Sequence, residues 1–217
     1  MKIGLTSDLH GVLPKVPDCD LLLIGGDLCP VHDHDEKFQF YWLDGPFRAW
    51  LNHQSMPVVG VAGNHDFVAE TDAGDELLHS LDWTYLMDET AQVADLSIHG
   101  SPYSNQFGRW AFMMPEYELA EYIWSQIPKG LDVLITHGPP KHAGDKVNNN
   151  WHPDDPNVGS MSLRHMVLAQ KPAIHLTGHI HEAYGEYQIG DTTVYNASIN
   201  NEIYDILNLN PIMVVDI

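Results

Sequence analysis

The chain has 217 residues, 44% hydrophobic and 18% charged, a globular composition long enough to bury a core without disulfide or metal staples. Ten Lys and Arg stand against thirty Asp and Glu, a formal net charge of −20. That balance argues against a duplex nucleic-acid partner, whose phosphates are neutralised by basic side chains, and leaves open a small phosphorylated substrate held through metal ions.

In chain order, residues 2–6 read as a buried strand that ends at Ser7-Asp8. A second, 21–24, ends at Gly25-Gly26-Asp27, and a third, 57–62, ends at Gly63-Asn64-His65-Asp66. A helix is expected over 36–53, kinked or split at Gly45-Pro46 because proline removes a donor and clashes with the preceding turn. A second helix is expected over 116–127, with Leu119, Ala120, Ile123, Trp124 and Ile127 on one face. Residues 132–136 form a fourth strand before His137-Gly138, and 173–177 a fifth before Gly178-His179-Ile180-His181. Between them, 160–170 is helical, with Ser160 or Ser162 as its N-cap. Strands 184–189 and 192–196 are joined by Gly190-Asp191, a hairpin signal, and 211–217 is a last strand. Short apolar runs bounded by turn formers suit strands buried on both faces. The reading is a mixed α/β fold in one domain, 1–217, with two packed mixed sheets and helices outside. The polar segment 138–159 is too long for an ordinary connection and reads as a substrate-facing loop or lid, with a plain surface excursion as the alternative.

Cys19 and Cys29 form no CxxC pair, which suits a reducing cytoplasm. The first eight residues contain no long apolar run, so no signal peptide is expected, and no run approaches the ~20 apolar residues of a membrane span. A cytoplasmic protein without membrane partners is the expectation.

Fourteen histidines are unusual, and their placement is more so. Asp8 and His10, like His179 and His181, stand at i and i+2, on the same side of an extended chain. Asp27, Asn64, His65 and His137 each follow or precede a glycine at the end of an apolar run. Ligand-type residues just past strand C-termini occupy the position where α/β sheets keep their sites. Carboxylates, imidazoles and one amide oxygen, with no thiolate, suit Mn²⁺, Fe, Zn²⁺, Ni²⁺ or Co²⁺. The set is too large for one ion. Two ions ~3.5–4 Å apart sharing a carboxylate and a water would use it fully, and such pairs serve phosphoester hydrolysis.

Asp8-x-His10, Gly26-Asp27, Gly63-Asn64-His65-Asp66, His137-Gly138 and Gly178-His179-x-His181 together resemble, in this order, the five motifs of the calcineurin-like metallophosphoesterases. The block 178–185, His137-Gly138-Pro139-Pro140 and Asn196-Ala197-Ser198 are most similar to the small MPPED-like branch, which is associated with phosphodiesterase activity. The resemblance implies a four-layer α/β/β/α sandwich. It implies that Asp8, His10 and His181 hold one divalent ion, that Asn64, His137 and His179 hold the other, and that Asp27 bridges both, with manganese the favoured metal. It places His65 near the phosphate as general acid or charge stabiliser, and Asp66 beside it to orient the imidazole or to cap local backbone. A water between the ions would be the nucleophile, since coordination lowers its pKa from 15.7 towards ~7.

Two departures stand out. The third position after Asp27, often acidic or His in the family, is Pro30, so that role is absent or filled elsewhere. Ala62 precedes Gly63, and no arginine closely follows Asp27, so the arginine clamps of phosphoprotein phosphatases are missing. Bidentate arginine is the strong grip on a monoester dianion. The resemblance to that branch implies hydrolysis of a small phosphodiester, with a cyclic nucleotide among the candidates, and the scarcity of arginine lends it minor support. A phosphomonoesterase, a catalytically silent metal-binding scaffold and a nuclease are the rivals, the last disfavoured by charge.

The remaining candidates have plainer readings. His32-Asp33-His34-Asp35 reads as a water-facing loop, with the rim of the site as the alternative. His99, His152 and His175 are left as structural or exposed. Trp42, Trp50, Trp83 and Trp124 are packing residues, Arg109 and Arg164 form ordinary ion pairs unless one reaches a phosphate, and Gly159-Ser160 is an N-cap that could also present N–H groups to one.

Overall fold

A computed structural model describes residues 1–148 and 154–217; His152 and the centre of segment 138–159 lie outside the described residues. The strands are β1 (Lys2–Thr6), β2 (Leu21–Ile24), β3 (Val58–Gly60), β4 (Thr84–Tyr85), β5 (Glu89–Val93), β6 (Leu96–Ser101), β7 (Ser104–Asn105), β8 (Met113–Met114), β9 (Val133–Thr136), β10 (Ile174–Thr177), β11 (Gly185–Ile189), β12 (Thr192–Asn196) and β13 (Met213–Asp216). The α-helical segments are α1 (Glu36–Trp42), α2 (Arg48–Leu51), α3 (Asp72–Ser80), α4 (Glu116–Glu118) and α5 (Met161–Gln170). One sheet has the order β13-β1-β2-β3-β4 and the other β11-β12-β10-β9-β6-β5. The inner strands of both are parallel, and the edge strands β13, β11 and β5 pair antiparallel.

The strand sequences explain the layering. Side chains alternate faces along a strand, so the continuous run of β2 feeds two cores. Leu21 and Leu23 enter the layer between the sheets with Ile3, Leu5, Val59, Ile135 and Leu176. Leu22 and Ile24 enter the layer beneath α1–α3, with Leu43, Phe47, Leu77 and Leu78. A third cluster, including Leu119, Trp124, Leu134, Leu163 and Val194, fills the space between the second sheet and α4–α5. Three apolar layers separate four structural ones, α/β/β/α.

The helix expected over 36–53 is α1 and α2 separated by a π-turn, Leu43–Phe47, that contains Pro46. The wider turn accommodates a residue with no backbone N–H. The helix expected over 116–127 is one α-turn, then a π-turn (Leu119–Ile123) and a 3-10 turn (Trp124–Gln126); Leu119, Ile123, Trp124 and Ile127 are buried all the same, and Ala120 is half-buried. The strand expected over 57–62 is shorter, because its last residues leave the ladder to form the site. The hairpin at Gly190-Asp191 is present. The hairpin β5–β6 and helix α3 carried no reading in the sequence. The former turns on Ala94 and Asp95, both at positive φ (50° and 65°), without the Asn-Gly or Asp-Gly signal that such turns favour.

His175, in the middle of β10, is fully buried. The Thr136 hydroxyl donates to the Gly138 carbonyl at 2.7 Å, so at 2.7 Å from His175 Nε2 it accepts the imidazole N–H. Nδ1 then keeps a buried lone pair with no partner. Burial pushes this histidine down to about 3. The depressed value means stability that is complete above the unfolded-state pKa of 6.5 and lost as pH falls towards 3. Because one proton is at stake, wild type is expected to lose stability relative to His175→Leu by up to about 1.4 kcal/mol per pH unit below 6.5. Urea unfolding of both proteins, near neutrality and at about pH 5, measures this; parallel pH dependences would show that His175 titrates normally.

Candidate metal centre

The loops that follow β1, β2, β3, β9 and β10 meet at the C-terminal ends of the parallel strands. The two sheets are laced together there: Ser7 N–H donates to Ala197 O at 2.9 Å and Ile199 N–H to Ser7 O at 3.0 Å. Asp8, His10, Asp27 and His179 all stand at positive φ (55°, 45°, 52° and 68°), a conformation that costs non-glycine residues on the order of 1 kcal/mol or more each. Backbone bonds hold them in it: Asp8 N–H to Gly26 O at 2.9 Å and His10 N–H to Asp27 O at 2.8 Å. His179 N–H donates to the Asp8 carboxylate at 3.0 Å. Gly63 and Gly178 are required by close approach. A Cβ on Gly63 would collide with the Asp27 carboxylate, and one on Gly178 with Ser7 Oγ and Asp8 Oδ2.

Seven side chains aim donor atoms at two adjacent points. At the first, His10 Nε2 lies 3.2 Å from His181 Nε2 and 3.5 Å from Asp27 Oδ2, and His181 Nε2 lies 3.3 Å from Asp8 Oδ1. At the second, Asn64 Oδ1 lies 2.8 Å from His137 Nε2 and 2.7 Å from His179 Nδ1, and His137 Nε2 is 3.5 Å from Asp27 Oδ2. One oxygen of Asp27 is therefore common to both. Donors bound at about 2.1 Å to one ion stand about 3 Å apart, and these separations match that spacing.

The tautomers agree with such a role. His137 Nδ1 bonds the Gly25 carbonyl at 2.9 Å and His181 Nδ1 the Asn201 carbonyl at 3.1 Å. A carbonyl can only accept, so both rings carry a proton on Nδ1, and the neutral form of each then presents a bare Nε2 to a ligand site. Burial pushes His10, His137 and His179 down, leaving neutral rings with lone pairs. Burial opposes charge on His181 too, but the hydrogen bond and charge of Asp8 outweigh it and hold this imidazolium at about 9; the same His181 contacts keep Asp8 ionised against its burial. Asp27 is pushed well up by burial and then by the charges of Asp8 and Asp66. Among the described residues, the basic groups within 4.0 Å of Asp8 and Asp27 are all imidazoles. Buried carboxylates without a lysine or arginine, aimed where bare imidazole nitrogens converge, fit a pair of divalent cations.

His65 borders the same points. Its N–H donates to Asp27 Oδ1 at 2.7 Å, its ring lies 4.4 Å from that of Trp110, and burial, followed by the charges of His34 and His137, pushes it down to about 3. Asp66 does not orient it. The buried Asp66 carboxylate accepts from the N–H groups of Gly63 (2.8 Å), Leu28 (3.0 Å) and Cys29 (2.8 Å), so it is a backbone clamp between two motif loops. The reason is local: the turn at 63–66 brings Asp66 back over its own Gly63 N–H.

His34, read as water-facing, instead places Nε2 3.1 Å from His65 Nδ1. His32 packs on Phe38. Three further residues had no signal in the sequence. Trp110 covers His65, Tyr204 sets its ring 5.0 Å from His10 and 5.2 Å from His181, and Asn200 Nδ2 donates to the carbonyls of Asp8 and Leu9. They lie in irregular segments, where no periodicity marks a side chain as inward. Asn196 holds the 178–181 loop, donating to the Gly178 and Ile180 carbonyls.

A cavity of about 300 Å³ opens over the donors, rimmed by Trp110, Glu182, Glu202 and Tyr204. Phe107 and His179 separate it from a larger one of about 540 Å³. Pro139, Lys141, Val147 and residues 157–160 line the latter, so the described parts of segment 138–159 do border the cavity. Ser160 caps α5 through Leu163 N–H, and Gly159 N–H is taken by Asp145, so this helix start offers no free N–H pair. Arg48 pairs with Asp44, Arg164 donates to the Lys141 carbonyl and Arg109 is exposed. Both cysteines are free and buried, and among the described residues no helix is long and apolar enough to cross a membrane.

A family model for calcineurin-like phosphoesterases matches residues 1–183. Metallophosphoesterase domain-containing protein 1 of Homo sapiens is 38% identical over 134 residues, covering 61% of this chain and 39% of that one. The UPF0046 protein C25E10.12 of Caenorhabditis elegans is 32% identical over 210 residues, covering 88% and 71%. The solved structure of the phosphopantetheinyl hydrolase of Mycobacterium tuberculosis is 12% identical and superimposes with a TM-score of 0.59 over 94% of this chain and 90% of that one, a likeness of fold. The chain spans less than half the length of several curated relatives it matches. With the motif loops at the strand ends of an α/β/β/α sandwich and the match running through all five, this chain belongs to the calcineurin-like phosphoesterase family.

Proposed function

We propose that the chain is a dinuclear metal-dependent phosphoesterase that hydrolyses a small phosphodiester. The observation that carries this reading is the convergence of seven donor side chains, from five loops, in two groups that share Asp27 Oδ2 beneath an open cavity. Asp8, His10 and His181 would hold one ion, Asn64, His137 and His179 the other, and Asp27 both. Two divalent ions there would supply Lewis acidity and activate water at neutral pH. The chain's own contribution is to keep the His10, His137 and His179 rings neutral, to flank the donors with Trp110 and Tyr204, and to offer the His65 ring to an oxygen of the phosphate.

The preference for a diester rests on charge. No arginine lines either cavity, Lys141 is paired with Asp155 at 2.6 Å, and Glu182 and Glu202 stand at the mouth. A dianion would meet those carboxylates without a guanidinium to offset them; a diester monoanion meets less repulsion. The 540 Å³ cavity beside His179 gives one esterified group, a nucleoside of a cyclic nucleotide among the candidates, room to lie outside the metal centre.

Protein stripped with chelator and given Mn²⁺, Zn²⁺, Ni²⁺, Co²⁺ or Mg²⁺ separately is expected to cleave bis-p-nitrophenyl phosphate in preference to p-nitrophenyl phosphate, with Mn²⁺ the working ion. Preference for the monoester overturns the substrate class and keeps the centre. Stoichiometric metal without cleavage of either compound favours a silent scaffold.

A further inference from the structure

We propose that His34 is a positioning residue for His65: its Nε2–H donates to His65 Nδ1 and thereby keeps the His65 proton on Nε2. The inference rests on the phosphoesterase reading above and concerns a residue outside the five motifs.

The contact is specific. His34 Nε2 and His65 Nδ1 are 3.1 Å apart, so one proton lies between them. A neutral imidazole carries a single proton, and the partner of one nitrogen decides which nitrogen bears it. If His65 is to offer a hydrogen bond to a phosphate oxygen, Nε2 must carry the proton, because Nδ1 is already engaged. Nδ1 must then accept, and His34 must donate. An aspartate in the same place would do the reverse, accepting from Nδ1. Here Asp66 is occupied by three backbone N–H groups, and Pro30, three residues after Asp27, has no polar side-chain atom. His34 is the side chain that reaches.

The surrounding chain is built to hold this pair. Asp33 Oδ1 accepts from Asp35 N–H at 2.9 Å, and Asp35 caps α1 through the N–H groups of Lys37 and Phe38. The two aspartates of the 32–35 run therefore fold the loop that turns His34 inward. From α1 itself, buried Gln39 donates to the His65 carbonyl at 2.7 Å and accepts from Val68 N–H at 3.0 Å, so one short helix ties both histidine loops together. The His34 ring packs 5.4 Å from Phe67 and 5.3 Å from Trp110, and Trp110 also covers His65. The contribution is orientation and a hydrogen bond. The proton remains on His65 Nε2 throughout, so neither ring is required to become charged.

Two variants separate this role from packing. His34→Phe keeps an aromatic ring against Phe67 and Trp110 but removes the donor. His34→Gln places an amide N–H where Nε2 was. Partners of this kind are worth 10–100-fold, so His34→Phe is expected to lower kcat on the diester by about that factor with KM nearly unchanged, and His34→Gln to recover most of the loss. In the Zn²⁺-loaded protein labelled with ¹⁵N-histidine, long-range ¹H–¹⁵N spectra, assigned by comparison with His65→Gln, report the tautomer directly. His65 should show a bare Nδ1 and a protonated Nε2 in wild type and His34→Gln. A protonated Nδ1 on His65 in wild type overturns the proposal, as does a His34→Phe variant with wild-type kcat. If wild type cleaves neither test compound, the phosphoesterase reading fails, and the spectra still decide which nitrogen His34 protects.

Discussion

Replacing Asn64 or His179 with alanine is expected to abolish turnover while leaving the fold intact. Asn64 Oδ1 stands between His137 Nε2 and His179 Nδ1 at 2.8 and 2.7 Å. Removing it, or the His179 ring, takes one donor from the second point and leaves the first complete. The expected loss in kcat/KM is at least about 10³-fold, equivalent to roughly 4 kcal/mol of transition-state stabilisation. Neither side chain belongs to the apolar layers, so unfolding in chelator should shift by about 1 kcal/mol or less. Steady-state kinetics across the metal series, with denaturation of the stripped proteins, checks both halves. A variant that keeps full activity removes its residue from the proposed ligand set. One that loses activity and stability together shows a structural role instead.

Asp66→Ala is expected to be the more damaging change for the fold. The carboxylate has no exposure and accepts three backbone N–H groups from two motif loops. Truncation leaves three donors buried without an acceptor. At about 1–3 kcal/mol for each unsatisfied group, the loss is expected to be roughly 3–5 kcal/mol. Part is offset, because the Asp66 charge no longer repels Asp27, whose pKa it helps to raise. Asp66→Asn keeps one acceptor oxygen and should lose about half as much. Urea unfolding in chelator, which removes any contribution of bound ions, measures the difference. A change below about 1 kcal/mol for the alanine variant would mean that water replaces the carboxylate and that the clamp is dispensable.

The roles of Asp66 and His34 show where reading the chain stops. Asp66 follows His65 directly, and adjacency suggested a carboxylate–imidazole pair. Consecutive residues in a tight turn point apart, and the nearer N–H of Gly63 captured the carboxylate. His34 sits in a polar run that resembles solvated loop, and its partner is 31 residues away. Which of four alternating polar side chains turns inward depends on the loop's own hydrogen bonds and on the aromatic wall of Phe67 and Trp110. No periodicity encodes either.

By itself the sequence determined the strands of the two sheet centres, the kink at Pro46, the Gly190-Asp191 hairpin and, through the resemblance, the layered sandwich and its family. Short apolar runs ending in glycine and ligand-type residues are local signals, set by burial on both faces and by steric room at the turn. Only the tertiary structure decided that Trp110 and Tyr204 border the candidate donors and that Asn200 holds the Asp8 and Leu9 carbonyls, that β5 and β6 form a hairpin on an Ala-Asp turn, and that no arginine lines either cavity. Those outcomes depend on which loops the stacked sheets bring to the same end, and distance in space is not written in spacing along the chain.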